Sequence, residues 1–175
     1  MDIKIKPIGY VKSDIKQSTF QQNIDVAVDE RKRQNQLKYK QIKQIISELI
    51  IDPSYADMLD GIEKFSHIVV IYWPHLLTDD QRKLRKVHPM GRKDLPIQGI
   101  FATRSPARPN SILISTVELL KRQENVLQVK GLEALDGSPI LDIKTYIQIS
   151  DQVTNPVFPE WVHQIKRELQ DETDN

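Results

Sequence analysis

Two arginines, Arg104 and Arg108, lie within the stretch Gly99-Ile-Phe-Ala-Thr-Arg-Ser-Pro-Ala-Arg-Pro-Asn110. Pro106 and Pro109 break the extended run that leads into Thr103, and each proline also holds its preceding residue extended. Guanidinium groups fixed at the mouth of a strand suit a carboxylate or a phosphate. The alternative is a proline-rich crossover whose arginines only coat the surface. Further cations lie upstream. From Gln81 to Arg108 there are eight basic residues (Arg82, Lys83, Arg85, Lys86, Arg92, Lys93, Arg104, Arg108) and one acid, Asp94. From Arg31 to Lys43 there are six basic residues and none acidic. These windows carry +7 and +6 while the whole chain carries +1, which leaves −12 elsewhere. Such segregation presents a basic face to phosphates, or else marks solvated helix and loop faces.

Several chemistries are excluded. The chain has no cysteine, hence no thiolate nucleophile, disulfide, Cys-based zinc site or iron–sulfur cluster. No G-x-x-x-x-G-K-[ST] loop is present, and the six glycines never form G-x-G. His67, His75, His88 and His163 lack metal-ligand spacing, so no metal is expected, and His67 reads as a structural histidine. No G-x-S-x-G elbow announces a hydrolase. No apolar run approaches the ~20 residues of a membrane span, and Met1 to Ser13 lacks a signal-peptide core. A cytoplasmic protein without a membrane partner is the expectation.

The elements that must position these residues are mostly strands. The 175 residues fit one domain of ordinary size, read as residues 1–150, followed by a helix and acidic tail over 151–175. Ile3 to Val11 reads as a strand bent at Pro7–Gly9, and Lys12 to Asn35 as loop. Leu37 to Ile51 fits either a helical stripe or, at its end, a strand. Asp52-Pro53 opens a short helix over Tyr55 to Leu59. His67 to Trp73 is a buried central strand. Ile97–Thr103, Ile112–Leu120, Val126–Leu135 and Ile140–Ile147 follow as strands, with Asp136-Gly137 as a hairpin turn between the last two. After Pro159, residues Trp161, Val162, Ile165 and Leu169 share a helix face with Phe158, which caps the barrel or lines a dimer contact; the cap is preferred. The fold class is mainly β: a single compact β-barrel with short helices and a C-terminal amphipathic helix.

The segment Gly99 to Asn110 resembles the signature of the TsaA-like (TrmO) family, whose characterised members are S-adenosylmethionine-dependent tRNA N6-threonylcarbamoyladenosine methyltransferases. Ordered blocks agree elsewhere: Ile8 to Ser13, Leu59 to His67, Tyr72 to His75, Val87 to Gly91 and Gly131 to Lys144. The resemblance implies a barrel unlike the Rossmann methyltransferases, binding S-adenosylmethionine and working as a homodimer on tRNA. It implies that Arg104, His75, Ile114, Leu135, Asp136 and Gly137 contact the cofactor. Within that picture Arg82, Lys83, Arg85, Lys86, Arg92 and Lys93 would grip RNA phosphates, and Arg108 or Arg104 the threonyl carboxylate. Asp136 is the candidate catalytic acid or base. The chain departs from the family pattern in three places. It reads Arg108-Pro-Asn-Ser-Ile-Leu113 where R-P-N-P-I-G is usual, Lys144-Thr-Tyr146 for K-P-Y, and only Phe20-Gln21-Gln22 where P-R-Q is expected. Leu113 in place of glycine motivates a second reading, a non-catalytic binding module, and the N-terminal departure a third, a different acceptor.

Overall fold

The computed structural model describes residues 3–16 and 26–170; Phe20-Gln21-Gln22 lie outside them. The described residues form eight strands: β1 (Gly9–Lys12), β2 (Ile46–Ile51), β3 (His67–Tyr72), β4 (Lys86–Val87), β5 (Gln98–Gly99), β6 (Leu113–Gln123), β7 (Val126–Lys130) and β8 (Pro139–Thr145). Six close into an antiparallel barrel in the order β1-β2-β7-β6-β3-β8, with β8 pairing back onto β1. Closure leaves none of these strands at an edge. β4 and β5 form a separate two-residue ladder.

Alternation fills the barrel. In β2, Ser47, Leu49 and Ile51 are buried, and in β7 Leu127 and Val129 are. With Val11, Ile68, Val70 and Ile140 they form a fully enclosed core. At the β1–β2 seam a Cβ on Gly9 would fall 2.2 Å from the Ile50 carbonyl oxygen, so only glycine allows this approach. In β8 an extra residue, Leu141, interrupts the register beside Tyr72, which pairs with Ile140 while Ile71 pairs with Asp142. A bulge there re-aims the end of β3.

Several expectations need correction, beginning with the first strand, which pairs only over Gly9–Lys12 and not from Ile3. Lys12 to Asn35 is not all loop: α1 (Val28–Gln44) begins within it. The ambiguous stretch that follows is helix to Gln44, then strand from Ile46. Ile97 to Thr103 is not a strand. Only Gln98–Gly99 pairs, and a 3-10 turn over Ile100–Ala102 follows, closed by the Thr103 hydroxyl donating to the Ile100 carbonyl at 2.8 Å. The strand from Val126 stops at Lys130, opposite the first residue of β2. Asp136-Gly137 does not make a hairpin, because β7 pairs with β2 and β6 whereas β8 pairs with β1 and β3. The hairpin joins β6 to β7 through Glu124, left-handed at φ 52°.

Short helices α2 (Asp79–Arg82) and α3 (Gln148–Asp151) precede the terminal α4 (Glu160–Gln170). The amide of Val162 bonds the Pro159 carbonyl, so the proline does open α4. The helix packs on α1 rather than serving as the expected barrel cap. Its Glu168 receives the Arg92 guanidinium and approaches Lys32 of α1 at 3.7 Å.

Candidate functional site

The ends of β3, β6 and β8 meet at one end of the barrel. Tyr72 pairs with Leu113 of β6 and Ile140 of β8, and the Trp73 amide bonds the Pro139 carbonyl. Pro74, which cannot donate to a ladder, takes the chain out of the sheet and delivers His75 to the rim. The 131–138 loop crosses the same rim, stitched to the chain leaving β1. Gly137 N–H donates to Val11 O, Asp136 N–H to Ile15 O and Val11 N–H to Ser138 O. Gly137 adopts φ +75°, a turn that favours glycine, and its missing Cβ would lie 3.8 Å from His75 Nε2. His75 Nδ1 is 3.5 Å from the buried Ser138 hydroxyl.

A cleft of about 80 Å³ opens here between Tyr72, Pro74, Leu77, Pro106, Leu113 and Leu135. Its lining is apolar apart from the Tyr72 hydroxyl, Gln81, Glu133 and Ser138. The Tyr72 hydroxyl donates to the Glu133 carbonyl at 2.9 Å and lies 3.4 Å from Ser115 Oγ. Burial pushes the Tyr72 phenol pKa up, only partly opposed by Ser115 and by the charge of Arg104, so Tyr72 is a neutral donor. Tyr72, Glu133 and Ser138 were not among the expected site residues. The only sequence signal for Tyr72 is its place directly before Trp73-Pro-His75 at the end of a buried strand.

The expected cofactor residues fall into two groups. His75, Leu135, Asp136 and Gly137 come together on the rim. Arg104 and Ile114 lie on the outer side of β6, where Arg104 donates to the Ile114 carbonyl at 2.8 Å and both side chains are exposed. Leu113, whose side chain enters the cleft, stands next to Ile114. Asp136 is ionised and tethered: one oxygen accepts from Lys16 at 2.7 Å and the other from the Ser13 amide at 3.0 Å. The Lys16 hydrogen bond and then the Ser13 amide hold its pKa below the ordinary carboxylate value, which makes it a weak base.

Three of the expected ligand-binding arginines are committed to the protein instead. Arg108 folds onto the loop that carries it, donating to the carbonyls of Ser105 and Thr103. Ser111, fully buried, donates to the Arg108 carbonyl at 2.7 Å and so restores rigidity where the family pattern has proline. Arg82 stacks 4.6 Å above the Trp73 ring and donates to the carbonyls of Pro74 and Leu77. Arg92 is 2% exposed and bridges Asp94 and Glu168, so its guanidinium does not face solvent. Lys83, Arg85, Lys86 and Lys93 remain exposed. Beside them Arg82, Lys83, Leu84, Arg85, Ile100 and Phe101 line an open groove of about 750 Å³.

Comparison with known proteins bears on this arrangement. The tRNA-methyltransferase O N-terminal domain family matches residues 27–152. The chain belongs to the TrmO (TsaA-like) family. A relative from Methanothermobacter thermautotrophicus, named "Probable S-adenosyl-L-methionine-binding protein", is 40% identical over 153 residues, 87% of this chain and 96% of that one. The "S-adenosyl-L-methionine-binding protein" of Archaeoglobus fulgidus is 40% identical over 142 residues, 81% of this chain and 88% of the relative. The crystal structure of TrmO from Pseudomonas aeruginosa superposes with a TM-score of 0.63 at 25% identity, covering 90% of this chain and 62% of that one. The chain therefore spans less than two thirds of the solved TrmO chain. The closed six-stranded barrel is the TrmO fold, as expected, and the family is one of S-adenosylmethionine-binding methyltransferases.

Proposed function

We propose that this protein is an S-adenosylmethionine-dependent methyltransferase. Its acceptor is the N6 nitrogen of threonylcarbamoyladenosine in a tRNA anticodon loop, and it works as a homodimer. The observation that carries this reading is an apolar cleft at one end of a TrmO barrel, lined by Leu135 and Ser138, with His75, Asp136 and Gly137 beside them on its rim. The lining suits a nucleoside with a cationic sulfur: apolar walls for a base, hydroxyls at Tyr72 and Ser138, and the fixed anion of Asp136 at the rim. The enclosed part is smaller than the ~300–1,000 Å³ of typical ligand sites, so part of the cofactor would lie across the rim over 135–137. When bound, S-adenosylmethionine supplies an electrophilic methyl group that needs little beyond an aligned acceptor.

The protein's own groups then divide the work. Leu113, Leu135 and Pro106 exclude water from the cleft. Asp136, ionised and tethered, acts as a counter-charge rather than a proton acceptor. His75, next to the cleft-lining Pro74 and 3.5 Å from Ser138 Oγ, is positioned to take the proton released from N6. Among the described residues Arg104 donates to Ile114 O alone, which leaves further guanidinium N–H groups to receive a carboxylate. Anticodon-loop bases are unpaired and can be splayed toward the rim.

A second reading, a binding module without turnover, is favoured by one observation: Leu113 narrows the cleft where the family pattern has glycine. Calorimetric titration with S-adenosylmethionine separates the two. Micromolar binding by the natural chain supports the methyltransferase. Absence of binding up to millimolar cofactor, with affinity restored by Leu113→Gly, supports the module.

A further inference from the structure

We propose that the open groove beside the cleft is a stacking site for an unpaired nucleobase. Phe101 is the platform, and Lys83 and Arg85 hold the flanking phosphates. The proposal rests on the RNA substrate of the preceding reading but not on methyl transfer. Phe101 is 79% exposed although it follows the buried Ile100, so its ring does not contribute to the core. Its ring is instead presented beside the basic groove that it helps to line, where it is available to a planar partner. The backbone fixes its position: Ile100 N–H donates to Arg85 O at 2.9 Å, and the 3-10 turn over Ile100–Ala102 closes onto Thr103. The aromatic is thus held beside Arg85 by a main-chain hydrogen bond.

Charge identifies what covers the ring. The groove wall that runs through Arg82, Lys83 and Arg85 contains no acidic residue. Arg85 is exposed, and Lys83 pairs with Asp80 with both side chains mostly in solvent. Arg82, also on this wall, is held by the Trp73 ring and the carbonyls of Pro74 and Leu77, so the cations presented to a ligand here are Lys83 and Arg85. A groove of about 750 Å³ with an aromatic ring, apolar neighbours in Leu84 and Ile100, and cations of one sign matches a nucleotide. A second copy of this chain would bring the same cations against themselves if it docked through this face about a two-fold axis. Unpaired RNA meets no such repulsion, and it supplies both the π-face and the phosphates.

The test uses the full chain and a short unmodified single-stranded RNA carrying 2-aminopurine, with fluorescence reporting stacking and polarisation reporting affinity. A matched probe replaces the central base by an abasic site. The natural chain is expected to quench the fluorophore. Phe101→Ala should weaken binding about tenfold, Phe101→Trp should preserve it, and the abasic probe should bind the natural chain and Phe101→Ala alike. Equal affinity of Phe101→Ala for the intact probe, or no binding by the natural chain, overturns the proposal. Loss of self-association in Phe101→Ala, seen by sedimentation and without any dependence on the base, assigns the ring to a dimer contact instead. Because the probe is unmodified and no cofactor is present, failure of the methyl-transfer reading leaves these outcomes unaffected.

Discussion

Arg92 and Arg85 lie seven residues apart in one basic window, yet they sit in opposite environments. Arg92 is almost fully enclosed, one side of its guanidinium on Asp94 and the other on Glu168, 76 residues further along the chain. Through Glu168 it ties the loop after β4 to α4, and Lys32 brings α1 into the same cluster. Arg85 is exposed beside the groove, with its main-chain carbonyl held by the Ile100 amide. The difference teaches that a run of cations has no single role. A distant carboxylate decides which cation becomes structural, and the cations left over are those available to a ligand.

The largest expected effect breaks the closed side of this comparison. Arg92→Ala should destabilise the fold by about 3 kcal/mol, read from denaturant unfolding, because two partly buried carboxylates lose their cation. Arg85→Ala should change stability by less than about 0.5 kcal/mol, as exposed substitutions do. Equal effects would erase the distinction. Next, Leu113→Gly should cost about 2 kcal/mol, since its side chain packs on the core, without raising affinity for S-adenosylmethionine. A clear gain in affinity would favour the binding module.

Acid should release the Arg92 cluster. The hydrogen bond from Arg92 lowers the Asp94 pKa below its ordinary 3.8. For Glu168 burial alone would raise the pKa, but hydrogen bonds from Arg92 and Gln164 with the nearby positive charges bring it below 4.5. Groups with depressed folded-state values stabilise fully above their unfolded values, and that contribution disappears as pH falls through the folded ones. The near-UV signal of Trp161 on α4 should therefore hold at pH 5 and above and decline only as the pH falls below the ordinary carboxylate values of 4.5 and 3.8. Insensitivity of that signal down to full protonation would argue against the cluster as the anchor of α4. The smallest effect sharpens the open side. Replacing Lys83, Arg85 and Lys86 together by Ala should reduce the slope of log affinity for single-stranded RNA against log salt by about 2. An unchanged slope would remove these cations from the interface.

How much of this was legible follows from where the deciding contacts lie. The β-branched runs at His67–Tyr72 and Val126–Lys130 announce themselves because burial on a barrel wall is encoded locally. The role of Arg92 was not legible, since its partner Glu168 is brought to it only by the packing of α4 on α1. The intramolecular contacts of Arg82 and Arg108 were not legible, because the carbonyls that receive them belong to loops whose path no residue pattern specifies. Asp136-Gly137 has the composition of a hairpin, but strand order in the closed barrel separates β7 from β8. The rim residues His75 and Leu135–Gly137 came from resemblance to a family. Tyr72 and Ser138, which complete the cleft, became visible only when three strand ends met.

The central claim is tested most directly by incubating the purified protein with S-adenosylmethionine and tRNA carrying threonylcarbamoyladenosine, then analysing the nucleosides by mass spectrometry. The account predicts one added methyl group on N6 of the modified adenosine, none on tRNA lacking the modification, and strong loss of product in Arg104→Ala. Tight cofactor binding with no methyl group on that nucleoside would contradict it.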